Sequence, residues 1–190
     1  MQKKLIIAVI ALSLVLCCFV GGTVAWLVAQ SEEVTNTFTV GNIQITLTET
    51  TGSGYKIIPG DSVDKDPLIT VMAESEKCYV YVVVENNLVI DGKTVATPNI
   101  NLDDWIPVGE SGTKVLYRYK EEVDATKAKV ELSVFTKVTF ADSEITAENI
   151  SEINNKTIVM RAYAHQSENI TNVTVADKAA ITWAGVVAIG

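Results

Sequence analysis

Hydrophobic and polar positions alternate with a period of two along much of this chain. Ile43, Ile45 and Leu47 interleave with Gln44, Thr46 and Thr48, and Val130, Leu132, Val134, Val138 and Phe140 share one phase between Lys129 and Phe140. This is the alternation of strands buried on one face. Cys78 to Val84 is apolar without a break and rich in Val and Tyr, which predicts a central strand covered on both faces; Thr157 to His165 is a second candidate of that kind. Shorter runs at Leu68 to Met72, Leu88 to Ile90 and Lys114 to Tyr119 bring the set to about eight strands, the number that sandwiches and jelly rolls use. Turn signals separate them: Gly41-Asn42, Gly52-Ser53-Gly54, Pro59-Gly60, Asp91-Gly92 and Gly109-Glu110-Ser111-Gly112. Two segments carry helical spacing instead. These are Ser143 to Asn154, with Ile145, Ile150 and Ile153, and a C-terminal stretch with Ala176, Ala180, Trp183 and Val187.

The first thirty residues have a different pattern. Met1-Gln2-Lys3-Lys4 is a short basic start, and Leu5 to Val20 is uncharged and almost wholly apolar, the layout of a helical secretory signal. Gly21-Gly22 then breaks the helix, and Thr23-Val24-Ala25 supplies small residues at the third and first positions before a cut, which places cleavage between Ala25 and Trp26, with Ala29 as a second choice. The alternative is a retained anchor, because Leu5 to Ala29 is long enough to span a bilayer at about 20 residues. Cys17-Cys18 does not make a lipoprotein site, since in Leu14-Val15-Leu16-Cys17 a Leu, Leu16, stands where a lipobox needs a small residue. The expected organisation is a signal peptide over 1–25, a mature N-terminal segment over 26–42, and a sandwich domain over 43–190.

At 190 residues the chain has room for one domain and an appendage. It carries 15 Lys+Arg against 23 Asp+Glu, and removal of Lys3 and Lys4 with the signal leaves an exported product still more acidic. That balance argues against nucleic acid, whose binding rests on clustered cations. Only one His is present, so a catalytic triad, a Cys-His pair and a His-rich metal site would all compete for His165. Two of the three Cys lie in the signal, which leaves Cys78 without an internal disulfide partner; it reads as a small buried hydrophobe preceding a strand.

The junction of signal and first strand resembles a known family. Gly21-Gly22-Thr23-Val24-Ala25-Trp26, then Ser31-Glu32-Glu33, then Asn36-Thr37-Phe38-Thr39-Val40-Gly41-Asn42-Ile43-Gln44-Ile45 is similar to the start of the TasA/camelysin family of exported bacterial matrix proteins. The likeness continues in Pro59-Gly60, in Lys65-Asp66-Pro67 into Ile69-Thr70-Val71, in Ser75-Glu76-Lys77-Cys78-Tyr79-Val80, and in Ala162-Tyr163-Ala164-His165-Gln166 followed by Ala180 and Trp183. The resemblance implies a signal removed by a dedicated signal peptidase. It also implies a jelly-roll-like antiparallel β-sandwich with one or two short helices that assembles into extracellular fibres, the N-terminal strand of one subunit completing the sheet of the next. Val34, Thr35, Asn36, Thr37, Phe38, Thr39 and Val40 suit that role: the segment is Thr-rich, places Phe38 and Val40 on one face, and lies between a polar leader and a Gly-Asn break. The other reading of this segment is an ordinary edge strand paired within its own subunit.

Camelysin also carries a metallopeptidase label, and the residues oppose it. An HExxH zinc site needs two His one helical turn apart with a Glu as base, whereas His165-Gln166-Ser167-Glu168 offers one His in an expected strand. Ser62 and Ser111 are not in a GxSxG elbow. Asp61, Asp64 and Asp66, and Asp103-Asp104, are carboxylate clusters without EF-hand spacing and read as solvated loops. No catalytic residue, metal or cofactor is expected. The sequence therefore predicts a secreted structural protein of a bacterial surface or biofilm matrix. Its expected partners are further copies of itself, other matrix proteins and a signal peptidase, and it meets the membrane only through its signal. A membrane-anchored surface adhesin and a metallopeptidase are the rivals.

Overall fold

The computed structural model describes residues 42–51, 55–170 and 172–189, all within the unit Val40–Gly190. The signal segment, the Ala25/Trp26 junction and Val34 to Val40 lie outside the described residues. What is described is an all-β sandwich-like fold of antiparallel strands with one α-helix.

One layer is a five-stranded sheet built on β4 (Cys78–Asn86), flanked by β12 (Ile158–Gln166) and β9 (Lys114–Tyr119), then β8 (Trp105–Ser111) and β13 (Val187–Ala188). The unbroken apolar run of β4 has the expected cause. Cys78, Val80, Val82 and Val84 face the core between the layers, while Tyr81 and Val83 face the other way, under the helix α1 (Val173–Ala184). Thr157 to His165 departs from expectation. Its strand β12 pairs only with β4 among the described residues, so it is an edge strand, and its side chains from Ile158 to His165 are half-buried or exposed in alternation or in part. An apolar run of this kind is ambiguous between a central strand and an edge strand with one face on the core.

The opposite layer comes from β1 (Ile45–Thr48), β2 (Ser62–Asp64), β3 (Leu68–Val71), β7 (Ala96–Pro98), β10 (Val130–Ser133) and β11 (Lys137–Phe140). The single phase read over Lys129 to Phe140 is divided into β10 and β11 by a corner. β2 and β3 bend with them, and the register is the same on both sides: Leu68 opposes Ser133 and Asp64 opposes Lys137. Two hydrogen bonds carry the pairing through the bend, Lys65 N–H to the Thr136 carbonyl at 2.9 Å and Val134 N–H to the Pro67 carbonyl at 3.0 Å. β1 lines only the β3 half of this bent pair and β7 only the β11 half. The outer edge of β2 therefore has no ladder partner among the described residues.

The remaining elements follow local chemistry. Asp91 and Gly92, both at positive φ (48° and 75°), close the hairpin of β5 (Val89–Ile90) and β6 (Lys93–Thr94), as that dipeptide signals. Trp105 is fully buried at the start of β8, and its Nε1–H donates to the Ser133 carbonyl at 2.8 Å, tying one layer to the other. β8 itself was hidden in the sequence by Pro107 and by glycines that resemble a turn. Its Gly109 is a strand residue beside a bulge, where a Cβ would lie 2.7 Å from Val186 Cγ2, so glycine is what allows β13 to approach.

The helical reading of Ser143 to Asn154 is reduced to one 3-10 turn, Ile150–Ile153. Asn149 explains this: its side chain accepts from Thr146 N–H and donates to the Glu144 carbonyl, bonds that compete with a helical ladder. The C-terminal helix forms as expected over Val173–Ala184, capped by the Asn172 side chain on Thr174 N–H. Gly185, at φ 67°, ends it before Val187. Ala176, Ala180 and Ala184 lay its buried stripe on Tyr81, Val83 and Leu116.

Candidate functional site

A cleft of about 1010 Å³ opens on the flank where β1 stops short of β2. On one side stand Ile57 and Val63 from the β1–β2 connection and β2. At its base lie Phe135, Val138 and Phe140 from the corner and β11, and on the far side Ile158 and Met160 from β12. Val138, Phe140 and Phe135 are at most 5% exposed and belong to the main core, so the cleft opens directly onto the interior between the two layers. Its walls present two strand edges, β2 and β12, each without an outer ladder partner among the described residues. Unpaired edges flanking apolar side chains are what an added strand requires.

The rim is polar and mostly cationic. Lys65 Nζ lies 2.9 Å from Glu49 Oε1 and 4.3 Å above the Tyr55 ring. Lys56 and Lys156 also line the cleft, both exposed and with no ion-pair partner among the described residues. A smaller hollow of about 560 Å³ adjoins it and shares Asn155, Lys156 and Thr157.

The corner that shapes the cleft is locked by Asp66. Its carboxylate accepts from the backbone N–H groups of Thr50 (2.8 Å) and Thr51 (3.0 Å) and from both threonine hydroxyls. The Thr50 hydroxyl and these further bonds hold the Asp66 carboxyl down to about 2. This is the place of Asp66 in the acidic trio of the sequence: Asp64 ends β2 and Asp61 accepts from Ser62 N–H. Asp104 accepts from Asn101 Nδ2 at 2.7 Å, while Asp103 N–H donates to Asn101 Oδ1 at 3.1 Å, a local turn.

His165 sits at the end of β12, half-buried. Its Nδ1 is 2.8 Å from the Gln166 carbonyl and its ring meets Tyr163 edge-on at 6.3 Å. Tyr163 in turn stacks on Trp183 at 5.1 Å, with the Arg161 guanidinium 5.0 Å from the Trp183 ring. His165 thus belongs to an aromatic row that joins β12 to α1. Among the described residues no three His, Cys, Asp or Glu side chains converge to hold a metal ion. Cys78 is buried as the first residue of β4 rather than just before it. Burial, with the Glu122 charge adding to it, pushes its thiol up to about 11.

The sequence names Val34 to Val40, outside the described residues, as a donor strand, and it does not foresee the cleft. The cleft residues come from an unassigned stretch between two turn signals (Ile57), a strand pattern (Phe135) and a segment with helical spacing (Ile150, Ile153); the apolar Ile57-Ile58 pair beside Pro59 was the one legible hint.

Fold and flank together define an antiparallel β-sandwich with one side of its core open between two strand edges. Residues 1–75 match the family model described as camelysin metallo-endopeptidase. Over that stretch the likeness to the TasA/camelysin family is established. No curated protein and no solved structure matches the chain. The metallo-endopeptidase in the family's description implies a metal, and the described residues do not fit one: the single His is bonded to its neighbour's carbonyl and the acidic trio is divided between separate bonds.

Proposed function

We propose that this protein is a secreted structural component of the bacterial cell surface or biofilm matrix, exported by cleavage after Ala25. It assembles into fibres when Val34 to Val40 of one copy enters the Val63–Phe135–Met160 cleft of the next. The observation that carries this reading is the cleft itself, an apolar trough bordered by two strand edges without outer partners among the described residues.

Chain length supports exchange over self-insertion. The described chain begins at Asn42, whose carbonyl accepts from Glu76 N–H, and runs along β1 to Glu49 on the cleft rim. That stretch is about 23 Å at ~3.3 Å per residue. The chain thus enters β1 at the end remote from the cleft. Val34 to Val40 spans about the same length, so folding back on its own subunit would use the segment up in reaching the rim. A strand that leaves at one end while the acceptor lies at the other produces a head-to-tail contact, which propagates as a filament.

The reading assigns no catalysis to the chain, and metal-loaded protein that cleaves casein only when His165 is intact would overturn that part. The assembly is tested by deleting Ser31 to Val40. The shortened protein is expected to stay folded by circular dichroism and to form no filaments by electron microscopy, whereas filaments at normal yield would end the strand-exchange reading. Intact mass of the native protein is expected to place its first residue at Trp26; recovery of the full chain from membranes would favour an anchored surface module.

A further inference from the structure

The cleft rim and the chain preceding the exchanged strand carry opposite charge. Lys56 and Lys156 are exposed on the rim without ion-pair partners among the described residues, and Lys65, paired with Glu49, adds a third ammonium. The acidic groups of the cleft and its surroundings are Glu49, engaged by Lys65, Asp66, engaged by Thr50 and Thr51, and Glu152 in the adjoining hollow. Val34 to Val40 is uncharged, and Glu32-Glu33 stands immediately before it. A protein as acidic as this one, with 23 Asp+Glu against 15 Lys+Arg, repels its own copies in general. Two lysines without ion-pair partners among the described residues, on the rim of this cleft, are therefore a local exception in the field that an approaching copy meets.

Building on the strand-exchange reading, we infer that Lys56 and Lys156 are a receiving site for the Glu32-Glu33 pair of an incoming copy. The pair steers the strand into the cleft. Exposed charges separated by water act mainly on the rate of encounter, and their reach is about 8 Å at physiological salt and about 3 Å at 1 M. Steering of this kind raises assembly rate at low salt and disappears at high salt. It also gives specificity, because an acidic segment without the following Thr-rich strand is attracted but not held, and an apolar strand without the acidic pair arrives slowly.

The test uses the secreted protein and follows filament growth by light scattering, checked by electron microscopy. The variants are Lys56→Glu with Lys156→Glu, Glu32→Lys with Glu33→Lys, and all four together. Lys56 and Lys156 are exposed, and circular dichroism verifies the fold of every variant. At low salt each double variant is expected to assemble about tenfold or more slower than wild type. The fourfold variant recovers to within about threefold, and the differences vanish near 1 M salt. Double variants growing at the wild-type rate, or a fourfold variant no faster than the doubles, would overturn the charge pairing while leaving strand exchange intact. Wild-type protein that stays monomeric under every salt condition would overturn both.

Discussion

The Tyr81 hydroxyl donates to Asp177 Oδ1 at 2.8 Å, linking the middle of β4 to the second turn of α1. Arg118 Nε, from the neighbouring strand β9, lies 3.1 Å from the same oxygen as an ion-pair contact, without its N–H aimed to bond. Burial, and then the Asp177 bond, drive the Tyr81 phenol well above its ordinary value, so it remains a donor at any working pH. The helix is thereby pinned over a sheet face that its small alanines alone would hold weakly.

Tyr81→Phe is expected to lower stability by about 1.5–3 kcal/mol, the scale of one hydrogen bond to a charged acceptor. Urea denaturation measures it. A loss confined to a few tenths would mean that Arg118 alone secures Asp177.

Cys78 is fully buried and its thiol is raised to about 11. In the native protein at pH 8 it is expected to resist a thiol reagent such as dithionitrobenzoate and to react once unfolded, with one equivalent in a form cleaved after Ala25, which lacks Cys17 and Cys18. Prompt reaction of folded protein would place Cys78 on an opening segment.

Asp66 ties the loop at Thr50 and Thr51 to the cleft corner, and its carboxyl is depressed from 3.8 to about 2. A lowered folded-state value contributes stability that is complete above about pH 4 and is lost as pH falls through about 2. Melting temperature against pH is expected to drop over that window in the wild type. Asp66→Asn should lower the melting temperature at pH 7 and flatten the acid limb, and an unchanged limb would remove Asp66 from the account of acid sensitivity.

Gly109→Ala would put a Cβ 2.7 Å from Val186 Cγ2 and 3.0 Å from the Val187 carbonyl. A loss of about 1–3 kcal/mol is expected from overpacking, together with faster amide exchange at Ile189, whose N–H donates to the Val108 carbonyl. Unaltered exchange would show that β13 shifts freely to accommodate the methyl group.

The sequence announced the parts of the fold that rest on local pattern. β1, β3, β4 and β9 were legible from alternation or from apolar runs, and α1 from the spacing of Ala176 and Ala180. What escaped depends on contacts distant along the chain. Pro107 and Gly109 resemble a turn until β9 and β13 are seen on either side of β8. Ser143 to Asn154 resembles a helix until the Asn149 side chain is seen to occupy Glu144 and Thr146. The cleft was least legible, since it is made by strands that stop: β1 ends at Thr48 opposite Leu68, and no residue pattern records that β2 has no outer partner among the described residues.

The unchanged register on both sides of the corner has a consequence for how this chain tolerates altered length. Residues 65–67 and 134–136 face one another as matched triplets, so adding or removing one residue in either triplet shifts every side chain of β2 or β11 to the opposite face. Val63 or Val138 would then turn from the cleft to solvent. Only compensating changes in both triplets would preserve the cleft, so insertions and deletions here must come in pairs, whereas the β5–β6 hairpin tip at Asp91-Gly92 can be lengthened singly.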